Sequence, residues 1–97
     1  MINLEITWEG EAHRFALEDG EHAVGRSSEN PVQVAMARVS KRHALIRVDG
    51  DNLFVKDLGS RNGIFVNSVR VDRQELRHGD LITIGETQFR FVESMAH

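Results

Sequence analysis

Three short segments of the chain combine hydroxyl, amide and cationic side chains that could together bind an anion. They are Gly25-Arg26-Ser27-Ser28, Ser40-Lys41-Arg42-His43 and Asp57-Leu58-Gly59-Ser60-Arg61-Asn62-Gly63. A guanidinium donates two parallel charge-assisted hydrogen bonds to an oxyanion, an ammonium supplies a point charge, and a serine hydroxyl adds one further hydrogen bond. Each segment borders a strand-like run, so each is expected in a loop. Three such loops at one end of a small β-domain would form an anion site.

The same residue types could belong to a catalytic or metal site, but their spacing argues against both. Ser40, His43 and Asp57 would suit a hydrolase triad, yet the chain lacks the Gly-x-Ser-x-Gly elbow that exposes such a nucleophile. The other histidines show no metal-like spacing to His43. No paired carboxylates, Walker loop or dinucleotide fingerprint is present. We therefore expect no enzymatic activity, no metal and no cofactor.

Composition narrows the function classes further. With 97 residues the chain is expected to form one domain with a modest core, and without cysteine it has neither disulfides nor thiolate sites. A net charge of -3 argues against a general nucleic-acid binder. No apolar run reaches about 18 residues, and the N-terminus has no signal-peptide pattern. We expect a cytoplasmic monomer without nucleic-acid or membrane partners.

Apolar alternation and turn signals predict an all-β fold. Asn-Gly, Asp-Gly and similar pairs recur every 6 to 12 residues, and the intervening runs alternate with a period of two. The runs read as about eleven short strands in a β-sandwich of two antiparallel sheets, with no helix. The domain is expected to span residues 1–93, with a frayed end at 94–97. The strand-like runs are 2–8, 12–17, 22–25, 32–34, 44–48, 53–57, 64–66, 69–71, one ending at Leu76, 81–84 and 87–92.

Four motifs, in this order and at these separations, resemble the forkhead-associated (FHA) domain. They are Gly25-Arg26-Ser27, Ser40-x-x-His43, Asp57-Leu58-Gly59-Ser60-x-Asn62-Gly63-x-Phe65-Val66-Asn67, and Gly79-Asp80-x-Ile82-x-Ile84-Gly85. The resemblance covers the chain from about Ile2 to Val92. It implies an eleven-stranded FHA/SMAD-like β-sandwich that binds phosphothreonine peptides through loops at one end. The partner would be a threonine-phosphorylated protein, with a Ser/Thr kinase acting upstream.

The resemblance also implies roles for individual residues. Arg26 would be the main phosphate ligand, and the Ser40 hydroxyl would donate to a phosphate oxygen. Lys41 keeps a cation at a position that is often arginine in the family. Asn62, which offers both a donor and an acceptor, would bind the main chain of an extended peptide. Arg42 alternates with Lys41 and is expected to point elsewhere.

Two further arginines leave alternatives open. Arg61 stands where the family often has threonine, and it could donate to the phosphate or reach an acidic residue of the ligand. Arg38 precedes Ser40 by two residues and could select an acidic side chain beside the phosphothreonine. The residues expected to support the loops without touching the ligand are Gly25, His43, Gly59 and Gly63.

A phosphate-independent function is the alternative. A β-sandwich can also bind partners, or a second copy of itself, through a sheet face. An exposed apolar patch on such a face would favour that function.

Overall fold

The computed structural model describes residues 2–8, 10–85 and 87–92. Within these ranges the chain forms eleven β-strands and no helix, which confirms the predicted fold class. Residues 94–97, for which a frayed end is predicted, lie outside the described part of the chain. The strands are β1 (Ile2–Trp8), β2 (Glu11–Leu17), β3 (Gly20–Gly25), β4 (Val32–Gln33), β5 (Ala44–Asp49), β6 (Asn52–Asp57), β7 (Ile64–Val66), β8 (Val69–Val71), β9 (Arg73–Leu76), β10 (Leu81–Ile84) and β11 (Thr87–Val92).

The strands form two sheets that make up the predicted sandwich. The six-stranded sheet has the order β2-β1-β11-β10-β7-β8, and the five-stranded sheet has the order β4-β3-β5-β6-β9. One pair departs from the antiparallel prediction, because β4 runs parallel to β3. Residues 26–31 fold back between these two strands, and the buried Asn30 amide donates to the Ser27 and Lys41 carbonyls at 2.8 and 2.6 Å. This loop therefore returns the chain to the edge of the sheet in its original direction.

Buried and exposed side chains alternate along the strands, as half-buried sheets require. In β5 the side chains of Ala44, Ile46 and Val48 are buried, whereas Arg47 is exposed. Burial of each larger apolar side chain stabilises the fold by roughly 1.5–3 kcal/mol. The packed core therefore fixes the strands to which the loops are attached. The other core residues include Leu4, Ile6, Val24, Leu53, Val55, Ile64, Val66, Ile82, Ile84, Phe89 and Phe91.

Exposed apolar surface is sparse on the described residues. Phe54, on the outer face of the five-stranded sheet, is 37% exposed, and Val69 on β8 of the other sheet is 62% exposed. A shallow groove of about 550 Å³ adjoins Phe54, and charged residues including Arg47, Lys56 and Glu75 border it. The described faces therefore lack a broad apolar patch of the kind that would favour a sheet-face interaction.

Neither a membrane span nor a metal cluster is found within the described ranges. They hold no helix long and apolar enough to cross a membrane. They also hold no group of three or more His, Cys, Asp or Glu side chains placed to bind a metal ion.

Candidate anion-binding site

Three loops are attached to the same end of the five-stranded sheet, where strands β3, β5 and β6 begin or finish. Val24 of β3 pairs with Ala44 of β5, which in turn pairs with Asp57 of β6. Because these anchoring residues lie in one row, the loops attached to them meet at one end of the sandwich. They are the first loop (residues 26–31) after β3, the second loop (residues 34–43) before β5, and the third loop (residues 58–63) after β6.

Ser40 connects the three loops through hydrogen bonds. Its carbonyl accepts from the backbone N–H of Arg26 in the first loop at 2.9 Å. Its hydroxyl oxygen accepts from the backbone N–H of Arg61 in the third loop at 3.2 Å. Because that oxygen acts here as an acceptor, the hydroxyl proton remains available for donation to another group. Arg26, Ser40 and Arg61 are therefore held next to one another.

His43 is fully buried and holds the second and third loops together through hydrogen bonds. Its Nδ1 accepts from the backbone N–H of Ser40 at 3.0 Å, so the proton of the neutral ring lies on Nε2. Nε2 then donates to the carbonyl of Gly63 at 2.7 Å. The backbone of His43 also bonds Val24 and Leu58 at 2.8 and 3.0 Å. The ring thus joins the second loop to the third through backbone atoms.

The tip of the third loop is shaped by one aspartate and one serine. The Asp57 carboxylate accepts from both the backbone N–H and the hydroxyl of Ser60, at 3.2 and 2.5 Å. The Ser60 oxygen in turn accepts from the Gly63 N–H at 2.9 Å. Gly63 has a φ of +77° and Gly59 a φ of +73°, values that glycine adopts with little strain. Together these bonds hold the turn that carries Asn62.

Asn62 points its amide group across to the second loop. Its Nδ2 donates to the carbonyl of Arg38 at 2.7 Å, although the residue itself is exposed. The oxygen of the amide has no hydrogen-bond donor among the described residues, so it is available to a ligand's N–H. The side chain is therefore oriented by the protein and still offers an acceptor.

A shallow cleft of about 570 Å³ lies between the first and second loops. It is lined by Arg26, Ser27, Glu29, Lys41 and Arg42. Arg42 is a correction to the sequence prediction, because it borders the same cleft as Lys41 and does not point elsewhere. The expected alternation applies only to extended strands, and residues 41 and 42 lie in a bend. Three cations and one carboxylate thus surround the cleft.

Gly25 is required here for close approach and not for a positive φ. A β-carbon at this position would lie 2.8 Å from the Asn30 amide nitrogen and closer still to the Lys41 carbonyl oxygen. Asn30 precedes Pro31, a pair typical of an ordinary turn, so the local sequence does not mark it as a residue that holds the loop. Only its partners, eleven and three residues away, reveal its role.

Arg38 and Arg61 are exposed and lie near Asn62, outside the set of residues that line the cleft. Two further residues, Gly85 at the end of the fourth motif and Arg70 of β8, pack against this region. A β-carbon on Gly85 would lie 2.9 Å from both the β-carbon and the carbonyl oxygen of Arg38. The guanidinium of Arg70 lies against Gly63.

Comparisons with known proteins match this chain to one domain family. The family model described as FHA domain matches residues 22–85. The glycogen accumulation regulator GarA of Mycolicibacterium smegmatis is 35% identical over 79 residues, which is 81% of this chain and 50% of GarA. The chain thus spans about half the length of this relative.

Two solved structures are similar over nearly the whole chain. The FHA domain of FhaA from Mycobacterium tuberculosis, solved with the intracellular domain of another protein, has a TM-score of 0.88 at 30% identity, covering 94% of this chain and 99% of that one. EmbR of Mycobacterium tuberculosis, solved with a low-affinity phosphopeptide, has a TM-score of 0.84 at 30% identity. That match covers 99% of this chain and 25% of EmbR.

Proposed function

Because this chain belongs to the FHA-domain family, we propose that it is a non-catalytic module that binds phosphothreonine in partner proteins. One observation carries the proposal. Ser40 accepts the backbone N–H of Arg26 at its carbonyl and that of Arg61 at its hydroxyl, so the backbones of two arginines adjoin a serine hydroxyl that can still donate. That pairing matches the chemistry of a phosphoryl group.

The phosphate would be held mainly by charge. Phosphorylation adds about -1.5 to -2 charges and three strong acceptor oxygens at neutral pH. Arg26 can donate two parallel hydrogen bonds to those oxygens, Lys41 adds a second positive charge, and Ser40 donates its free hydroxyl proton. Unmodified threonine offers no negative charge to these groups, and binding would therefore depend on the kinase that adds the phosphate.

The peptide chain beside the phosphothreonine would be held by Asn62. Its free oxygen can accept an N–H from an extended main chain, while its hydrogen bond to Arg38 keeps the amide in place. Arg61 follows Ser60 in the same turn and could reach the phosphate or an acidic neighbour in the ligand. Arg38 lies on the other side of Asn62 and suits an acidic neighbour.

The geometry of Ser40 and His43 supports a binding role over hydrolysis. In a serine hydrolase the histidine accepts the hydroxyl proton of the nucleophile. Here Nδ1 of His43 accepts the backbone N–H of Ser40, and Nε2 donates to the Gly63 carbonyl. Both ring nitrogens are therefore engaged with backbone atoms, and neither serves as a base for the Ser40 hydroxyl.

The proposal has several further parts. The domain would act as a single unit over residues 1–93 and bind as a monomer, in the cytoplasm, without nucleic acid or membrane. Its partner would be a protein phosphorylated by a Ser/Thr kinase. The named relatives support a regulatory setting, since one is a regulator of glycogen accumulation and another was solved with a phosphopeptide.

The proposal is tested by titrating the protein with one phosphothreonine peptide and its unmodified form. The peptide would come from a library screen. We expect Arg26→Ala to weaken phosphopeptide binding by roughly 10- to 150-fold, since hydrogen bonds to charged groups contribute about 1.5–3 kcal/mol. Arg47→Ala, which removes the same charge from the outer face of the five-stranded sheet, is the matched control and should leave binding unchanged.

A phosphoserine version of the peptide provides a second comparison. It lacks one methyl group, and we expect roughly fourfold weaker binding, from about 0.8 kcal/mol for a buried methyl-sized group. Equal binding of the phosphorylated and unmodified threonine peptides by the wild-type protein would disprove the proposed function.

A further inference from the structure

Arg70 occupies an unusual position on β8, the edge strand of the six-stranded sheet. It pairs with Phe65 of the neighbouring strand β7 and is exposed to solvent. Its guanidinium nevertheless lies against the third loop, because a β-carbon on Gly63 would be only 2.8–3.1 Å from three guanidinium atoms. The absent side chain of Gly63 leaves the space that this guanidinium fills.

The contact with Gly63 places Arg70 beside the turn that carries Asn62, where Arg38 and Arg61 also lie. Arg61 directly precedes Asn62, and the Arg38 carbonyl accepts the Asn62 amide hydrogen bond. Arg70 contacts Gly63, which directly follows it. We call Arg38, Arg61 and Arg70 the arginine cluster. None of its members lines the cleft that contains Arg26 and Lys41.

Within the described residues, Arg70 has no acidic partner. The ion pairs found there join Glu11 to His13 and Glu5 to Arg14, both on other strands. The Asp57 carboxylate accepts the N–H and hydroxyl of Ser60 through Oδ1 and is not among the ion-pair partners of Arg70. A guanidinium that is packed against backbone without a carboxylate is already oriented to bind an anion supplied by a ligand. Neighbouring cations add to the attraction for such an anion.

We propose that Arg70 is a specificity-determining residue that, together with Arg38 and Arg61, binds a second negative group on the ligand. This inference rests on the proposed function, because the phosphothreonine bound at Arg26 and Ser40 brings the ligand to the cluster. The second group lies within a few residues of the phosphothreonine along the extended peptide. A carboxylate of Asp or Glu and a second phosphoryl group share this chemistry, and the experiment distinguishes them.

The test uses three sets of phosphothreonine peptides built on one sequence. The first has neutral flanking residues, the second carries one glutamate scanned through the flanking positions, and the third carries a second phosphothreonine scanned in the same way. Affinities are measured for the wild type, Arg70→Ala, Arg70→Lys and Arg47→Ala. Arg47 is exposed on β5 of the other sheet and pairs with Glu21 and Phe54, so its replacement removes an equal charge at a site remote from the three loops.

We expect the wild-type protein to prefer at least one singly acidic or doubly phosphorylated peptide over the neutral one. Arg70→Ala should lower affinity for that peptide by about 3- to 10-fold and leave the neutral peptide within twofold. Arg70→Lys should keep part of the preference, because it retains the charge but loses the planar fork. Arg47→Ala should change neither. A preference confined to glutamate assigns acidic partners, and one confined to the second phosphate assigns doubly phosphorylated partners.

Two outcomes would overturn the inference. Equal losses on neutral and charged peptides would mean that Arg70 only supports the Asn62 turn, and no loss on either would mean that it does not reach the ligand. Both leave the difference between phosphorylated and unmodified peptides intact. Failure of the proposed function would instead remove that difference in the wild-type protein, so the two failures are distinguishable.

Discussion

The side-chain amide of Asn62 donates a hydrogen bond to the backbone carbonyl of Arg38 across 2.7 Å. This bond joins the third loop to the second, over 24 positions of sequence. It orients the amide oxygen before any peptide arrives, so less conformational freedom is lost on binding. The orientation of Asn62, the proposed peptide-binding residue, therefore depends on the Arg38 carbonyl as well as on its own turn.

We predict that Asn62→Asp abolishes most phosphopeptide binding. The substitution is nearly isosteric, but it replaces the N–H donor with a carboxylate that faces the Arg38 carbonyl and adds negative charge near the phosphate. A loss of tenfold or more is expected in fluorescence anisotropy titrations. Asn52→Asp, at the exposed start of β6, makes the same change in charge at the end of β6 opposite the third loop. If both variants bound like the wild type, Asn62 would have no role in the site.

Gly85→Ala should weaken both the fold and peptide binding. The new β-carbon would meet the backbone of Arg38 at 2.9–3.1 Å, and φ at Gly85 is +61°. Gly50 has nearly the same φ, +62°, with open space around it, so Gly50→Ala isolates the cost of the backbone conformation. That cost is about 1–2 kcal/mol for an L-residue. Thermal unfolding should show a larger loss for Gly85→Ala, and only this variant should lose peptide affinity. Equal effects would show that the Arg38 contact is unimportant.

His43→Ala should destabilise the domain strongly. It leaves the Ser40 N–H and the Gly63 carbonyl without their buried partner, at about 1–3 kcal/mol for each group. A total of about 2–6 kcal/mol corresponds to a fall in Tm of at least about 8 °C for a domain of this size. Gln74→Ala, at an exposed position on β9, is the control. A Tm within a degree or two of the wild type would refute the supporting role of His43.

Phosphopeptide affinity should decrease as the pH falls below about 6. The second ionisation of a phosphate monoester lies near pH 6, so the ligand changes from dianion to monoanion as pH falls and its attraction to Arg26 and Lys41 weakens. Affinity should also decrease with added salt, because the site is exposed. Isothermal titration from pH 7.5 to 5.5 measures the first effect, and ³¹P NMR of the free peptide gives the phosphate pKa. An affinity that stays constant across this range would count against a charge-based site.

Much of the fold could be predicted because local signals agree with the tertiary structure. The alternation from Ala44 to Val48 reports one buried face, and the serine, asparagine and glycines of residues 57–63 specify a turn through short-range hydrogen bonds. The parallel pairing of β3 with β4 could not be read in this way, since it depends on Asn30 contacting a carbonyl eleven residues away. Long-range contacts leave no periodic signal.

The same limit applies to the site. Arg26, Ser40 and Asn62 stand in recognisable motifs. Arg70 lies outside those motifs, and the contact of Gly85 with Arg38 joins residues that are distant in sequence. Arg42 was misplaced because a strand period was applied to a bend. The contacts of Arg70, Gly85 and Arg42 thus depend on the tertiary structure, which the neighbouring residues in sequence do not reveal.

The most direct measurement of the central claim is NMR titration of the ¹⁵N-labelled protein with matched phosphorylated and unmodified threonine peptides. We expect the backbone amides of Arg26, Ser40 and residues 61–63 to shift together, and only with the phosphorylated peptide. Side-chain signals of Asn62 should shift with them. Shifts of equal size with the unmodified peptide, or shifts confined to the outer faces of the sheets, would contradict a shared phosphothreonine site at these three loops.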